Sequence, residues 1–291
     1  MDIKKTILVI SFISFLLALL KIIFGYIDGS LIVLASALDS FVDVLISLFN
    51  YFALKKSLSP SNEYFNYGFG KLEGLSCVFE SLFIFLFGVF VGYKSIIKFI
   101  SNEGVNNVNH SIFIMLISIF ITLFIIFYLS RFKSSNSVII DSEILHYKTD
   151  LFGNLIALIS LGIISITSFY KLDSILGGIF GIYICFSAFK IFKKGLFMLL
   201  DRALDLNIVN KITNILDSNN FINGYHNLKS RISGNNIFLE CHLVFDNDIS
   251  LFRAHSICND IEKSIANLNS DYKWVILMHL DPYDDREHEF S

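Results

Sequence analysis

Apolar residues fill roughly the first two thirds of this chain in long blocks, whereas the last third alternates apolar and polar positions over short stretches. Six blocks, at about 6–27, 31–54, 75–99, 110–132, 144–169 and 174–195, each approach the roughly 20 residues that a helix needs to cross a bilayer. Gly29-Ser30, Ser101-Asn102-Glu103-Gly104 and Lys171-Leu172-Asp173 connect them on one side. On the other side lie Lys4, Lys5, Lys55, Lys56, Lys71, Arg131, Lys133, Lys148, Lys193, Lys194 and Arg202. The excess of positive charge marks that second side as cytoplasmic and puts both termini inside. Lys94 and Lys98 lie at the opposite end and read as snorkelling side chains. The first block is too long for a secretory leader and has no small-x-small cleavage site, so it is expected to be a retained helix.

After about Leu200 the pattern changes. Periodicity predicts a helix at about 207–218 and strands at about 225–232 and 237–245, joined by a turn at Gly234-Asn235-Asn236. A helix at about 250–267 and a strand at about 273–280 follow. The expected fold is therefore an all-α six-helix transmembrane bundle over 1–200 and a cytoplasmic α+β domain over 206–291. The latter has α-β-β-α-β order, a ferredoxin- or metallochaperone-like sandwich with its helices on one face of a mixed sheet.

Composition agrees: 54% of residues are hydrophobic, 17% are charged and the mean hydropathy is +0.63, values of an integral membrane protein. A net charge of -3, with no basic stripe of interleaved aromatics, gives no sign of nucleic acid as a partner, and none is expected. No P-loop is present, so no nucleotide-driven pump is implied, and no HExxH or nucleophile motif points to an enzyme. Cys77, Cys185, Cys241 and Cys258 are scattered and read as small buried residues.

Two segments break the apolar blocks. The second block contains Asp39 and Asp43, and the fifth opens with His146 and Asp150. Each pair has i, i+4 spacing and so shares one helix face. Carboxylates at membrane depth are costly and mark ion or proton paths. Two helices that each offer two such donors can supply four ligands to one ion. That set suits tetrahedral Zn²⁺ and accepts Cd²⁺, Fe²⁺ or Co²⁺, whereas Mg²⁺ and Ca²⁺ prefer more oxygens. Four ligands leave no open position for metal-assisted hydrolysis.

Gly25, the run from Gly29 to Asp43, and Leu145-His146-Tyr147-Lys148-Thr149-Asp150 with Asn154 behind it resemble the signature of the cation diffusion facilitators. The likeness covers nearly the whole chain and is greatest to the bacterial efflux pumps for ferrous iron, zinc and cadmium. It implies a homodimeric metal/proton antiporter with Asp39, Asp43, His146 and Asp150 as the transport site, and a composition poor in Pro and rich in Phe, Ile, Asn and Ser is compatible with a bacterial inner membrane. The likeness also implies a binuclear cytoplasmic zinc site drawing on His226, His242, His255, His279 and Asp281, whose carboxylate would bridge two ions. His288 in the acidic tail is expected to be solvated. Because metal ligands must be deprotonated, binding releases protons, and a site facing each side in turn exchanges metal for protons. The alternative is a membrane metal sensor or accessory protein that uses the same ligands without flux.

The loop after the second block departs from the family pattern. Asn62, Phe65 and Phe69 stand where relatives often carry the ligands of a surface metal site, so that site is expected to be absent here. Lys71 and Asp201 either pair near a dimer interface, which the resemblance favours, or stand as two solvated interfacial charges worth little as a surface pair. Glu80, about two turns into the third helix, either lines the cavity or reaches the cytoplasmic interface as a snorkelling residue, the latter being preferred.

Overall fold

Long apolar runs free of proline leave the helix as the way to satisfy every backbone polar group away from water. Pro60 and Pro282 both lie outside the elements. The computed structural model describes residues 3–27, 31–101, 108–131, 137–167 and 171–284. The N-terminal unit is helical: α1 (Ile3–Ile27), α2 (Leu31–Ser57), α3 (Lys71–Ser101), α4 (Val108–Ser130), α5 (Val138–Thr167) and α6 (Lys171–Leu199). Among the described residues, Lys71–Ser101 and Ser174–Leu199 are long and apolar enough to cross a membrane, and Thr6–Leu20 and Leu116–Ser130 are shorter apolar stretches. Large apolar side chains such as Phe12, Phe52, Phe83, Phe120 and Ile182 face outward, as expected of a lipid-facing surface.

The fifth helix begins at Val138, six residues before its apolar block at 144. Ser142 and Glu143 are buried in this extension. Hydropathy registers their polarity and misses the direction in which the helix face points. Helices α3 and α6 meet through glycine: a Cβ on Gly181 would lie 2.9 Å from both Gly88 O and Gly92 N. Such small residues let two membrane helices approach closely.

The second unit holds Ser61–Lys71 and Phe197–Ser291. Its elements are α7 (Leu206–Asp217), β1 (Gly224–Ser233), β2 (Asn236–Val244), α8 (Leu251–Ala266) and β3 (Lys273–Asp281). The sheet order is β1-β2-β3, with β1 antiparallel and β3 parallel to β2. Gly234 supplies the positive φ of 58° for the two-residue β1–β2 turn. Ser250 caps α8 by accepting from Arg253 N at 3.3 Å. Ile237, Leu239, Cys241 and Leu243 of β2 pack on Ile212 and Leu216 of α7 and on Cys258, Ile261 and Ile265 of α8. Both helices thus cover one face of the sheet, and Glu240 and His242 belong to the other.

The 61–71 loop is held by its own turn. Asn62 Oδ1 accepts from the backbone of Tyr64 and Phe65 at 3.1 and 2.8 Å, and the Phe65 and Phe69 rings lie 4.9 Å apart. Tyr67 meets Phe238 edge-on at 5.5 Å. Asn62 thus serves as a turn former, and Phe65 and Phe69 as an aromatic pair.

Candidate metal centres

The membrane-unit cluster is built by one position of α2 and two of α5. Asp43 faces His146, whose Nε2 lies 3.1 Å from Asp43 Oδ1 and 3.6 Å from Asp150 Oδ2. One donor atom from each residue lies within 4.8 Å of the others. His146 is buried, and its Nδ1 has no hydrogen-bond partner among the described residues. Asp39 lies in α2, but its side chain is outside the described residues. A cavity of about 110 Å³ borders the cluster, lined by Asp43 and Asp150 with Ser40, Thr122, Tyr147 and Asn154.

A polar network extends from this cluster into the bundle. Ser47 Oγ donates to Glu143 Oε2 at 3.2 Å and lies 3.3 Å from the Tyr147 hydroxyl, which is 3.0 Å from Ser14 Oγ. Asn50 Nδ2 donates both to Glu80 Oε2 at 3.0 Å and to Glu143 Oε1 at 2.9 Å. Ser76 Oγ donates to Asn50 Oδ1. Glu80 is 1% exposed, so the snorkelling expected of it is wrong. Its partner Asn50 belongs to another helix and holds it inside. Sequence reading also gave no role to Ser47, Asn50 and Glu143. The available signal was spacing: Ser47 and Asn50 continue the Asp43 face at i+4 and i+7, and Glu143 precedes His146 by three.

The second cluster lies on the sheet. His226 pairs with His242 across β1 and β2, and His242 pairs with His279 across β2 and β3. Their ring centroids are 4.8 and 4.7 Å apart. Asp281 Oδ2 lies 3.2 Å from His226 Nε2 and 3.0 Å from His242 Nδ1, while Oδ1 lies 3.1 Å from His279 Nε2. The register shifts between His226 and Lys229, where Asn227 takes a φ of 52°. A bulge of this kind re-aims the side chains beside it. His226, His242 and Asp281 form a group with donor atoms within 4.8 Å of one another. His279 joins it through Asp281 from an exposed position, and His255 is exposed on α8, outside the group. His288 lies outside the described residues.

Lys71 and Asp201 do meet. Lys71 Nζ lies 2.9 Å from Asp201 Oδ2, and Arg231 Nη1 lies 3.3 Å from Asp201 Oδ1. The Arg231 guanidinium also covers the Phe238 and Tyr67 rings at 4.5 and 5.0 Å. Burial alone would raise the Asp201 pKa, but hydrogen bonds from Lys71 and Arg231 hold it below the usual carboxylate value. Burial pushes the Cys241 thiol up to about 12 and the Cys258 thiol up to about 11, as fits core packing and not metal capture.

Comparison with known proteins places these clusters in context. The profile of the cation efflux transmembrane domain matches residues 7–200, and that of the cation efflux protein cytoplasmic domain matches residues 204–283. Protein p34 of Rickettsia rickettsii (strain Sheila Smith) is 32% identical over 257 residues, covering 88% of this chain and 84% of its own. The cation-efflux pump FieF of Serratia proteamaculans (strain 568) is 29% identical over 282 residues, with 96% and 93% coverage. That of Citrobacter koseri is 30% identical over 270 residues, with 92% and 88% coverage. With both profiles matched in order and these relatives aligned over most of its length, the chain belongs to the cation efflux family, the cation diffusion facilitators, as a FieF-like member.

Proposed function

We propose that this protein exports divalent transition-metal cations from the cytoplasm in exchange for protons, as a homodimer with six spans per subunit and both termini inside. Zn²⁺ is the cargo that the ligand set favours, with Fe²⁺ and Cd²⁺ also accepted. The observation that carries the reading is the meeting of Asp43, His146 and Asp150 within the helical unit. Asp39, one turn before Asp43, completes the set of four. Because His146 Nε2 stands at hydrogen-bond distance from Asp43, the site can hold a proton where it would otherwise hold a metal. A proton and a cation therefore compete for the same donors, which is the chemical requirement for exchange. The wall of the neighbouring cavity is polar at Ser40, Thr122 and Asn154, giving a hydrated cation partners on leaving.

The sheet cluster is proposed as the cytoplasmic metal centre. Its carboxylate presents one oxygen to His226 and His242 and the other to His279, the arrangement that a bridging ligand needs. Metal bound there would favour the dimer when cytoplasmic metal is high. Reconstitution into proteoliposomes tests the transport reading. Under an imposed proton gradient, Zn²⁺ uptake is expected, with loss of flux in Asp43→Ala. Tight Zn²⁺ binding without flux under any gradient would overturn it in favour of a sensor.

A further inference from the structure

Among the described residues three glutamates are buried in the helical unit, and their partners differ. Glu73 is satisfied: its Oε1 accepts from Ser57 Oγ at 3.0 Å and its Oε2 from Ser137 Oγ at 2.8 Å. It clamps α2, α3 and the start of α5. Glu143 is satisfied by Asn50 and Ser47. Glu80 is not. Its Oε2 shares the Asn50 amide with Glu143, while its Oε1 is inaccessible and has no hydrogen-bond partner among the described residues. Neither Glu80 nor Glu143 has an ion pair among the described residues, and each is 1% exposed. Two carboxylates bridged by one neutral amide in a water-poor interior lack a counter-charge.

We propose that Glu80, Glu143 and Asn50 form a second divalent-cation station on the transport path, a turn or two of helix from the Asp43–His146–Asp150 cluster. This rests on the transport reading. Contacts 43–146 and 50–143 show that α2 and α5 run antiparallel, so Asn50 and Glu143 lie on the same side of the triad. That side leads to the C-terminal end of α2, where Lys55 and Lys56 mark the expected cytoplasmic face. The cavity extends the other way, towards Ser40, Gly153 and Asn154. The station therefore stands between the cytoplasm and the triad, behind the Glu73 clamp. Its donors are the carboxylate oxygens of Glu80 and Glu143, and Asn50, whose Nδ2 bridges the two carboxylates, adds Oδ1 once its amide turns over. Without imidazole it holds a borderline ion more weakly than the triad does, as a site of passage requires.

The test uses the full-length protein in detergent, with His242→Ala and Asp281→Ala removing the sheet cluster, loaded with ¹¹³Cd²⁺ and followed by ¹¹³Cd NMR. Two resonances are expected. One has the shift of mixed nitrogen and oxygen ligands and disappears in His146→Ala. The second, upfield in the all-oxygen range, survives His146→Ala and is lost in Glu80→Gln and, independently, in Glu143→Gln. In flux measurements Glu80→Gln is expected to raise KM for Zn²⁺ at least tenfold. A single resonance, or a second one that persists in both glutamine variants, overturns the station and leaves the pair holding protons alone. Loss of the imidazole-type resonance in the unaltered triad, with flux indifferent to Asp43→Ala, would count against the transport reading instead.

Discussion

Replacing Asp201 by Asn removes one negative charge and little else. Asp201 sits at a φ of 53°, a left-handed conformation that Asn tolerates about as well as Asp, so the backbone is not newly strained. What is lost is the charge that accepts from Lys71 at 2.9 Å and from Arg231 at 3.3 Å. The Lys71 and Asp201 side chains are 43% and 39% exposed, which places their pair in the solvent-screened class of about 0.2–1 kcal/mol. Arg231 is 23% exposed and packed against two rings, so its share lies towards the upper end of that range. Asp201→Asn should therefore destabilise the protein by about 1 kcal/mol, a fall in Tm of about 2–4 °C. The loss should shrink in 1 M salt, where the screening length is about 3 Å. The sign with pH follows from the lowered pKa of Asp201. A depressed carboxylate contributes stability above its unfolded value of about 3.9, and the contribution disappears as pH falls through the folded value. The Tm gap between the two proteins should be constant from pH 5 to 8 and close below about pH 4. The assay is thermal unfolding of the detergent-solubilised full-length protein, with Lys71→Gln completing a double-mutant cycle. Strictly additive losses, or a gap that ignores salt, would refute the pairing.

Other expectations are equally direct. Asp281→Asn should weaken Zn²⁺ binding at the sheet cluster by at least about 10–100-fold, read by equilibrium dialysis of the full-length protein, because the carboxylate that joins three imidazoles can no longer accept at both ends. Gly181→Val should lower stability by about 1–3 kcal/mol or abolish folding, since even a Cβ there meets Gly88 O and Gly92 N at 2.9 Å. Thermal unfolding and size-exclusion chromatography would show this, and Gly92→Ala, with open space around its Cβ, should be nearly neutral. The Cys241 thiol, raised to about 12, should resist alkylation by iodoacetamide at pH 8 in the folded protein and react only on unfolding.

The Asp43–His146–Asp150 cluster was legible because its spacing is local. A carboxylate and an imidazole one turn apart on an apolar helix reveal a shared face without any knowledge of the partner helix. The α-β-β-α-β order was legible for the same reason, since each element carries its own period. Glu80 was misread because a lone carboxylate in an apolar helix looks the same whether it reaches water or faces Asn50 across the bundle. The histidine ladder depends on long-range register. Nothing in β2 alone says that His242 stands opposite His226 and beside His279. The shift after His226, with Asn227 in a left-handed turn, follows from strand pairing and not from composition.

The parallel pairing of β2 with β3 has a consequence for how the protein is made. Asp281, which holds the three imidazoles together, comes fifty-five residues after His226 and must wait for α8 to carry the chain across the sheet. Crossover pairings of this kind form slowly, because loop closure precedes any contact that rewards it. On the ribosome β1 and β2 emerge before α8 and β3, so His279 and Asp281 join the cluster last. Before β3 docks, the β1–β2 hairpin can set His226 opposite His242, but no carboxylate from β3 unites them. Capture of an ion by this cluster would therefore report that β3 has taken its place beside β2.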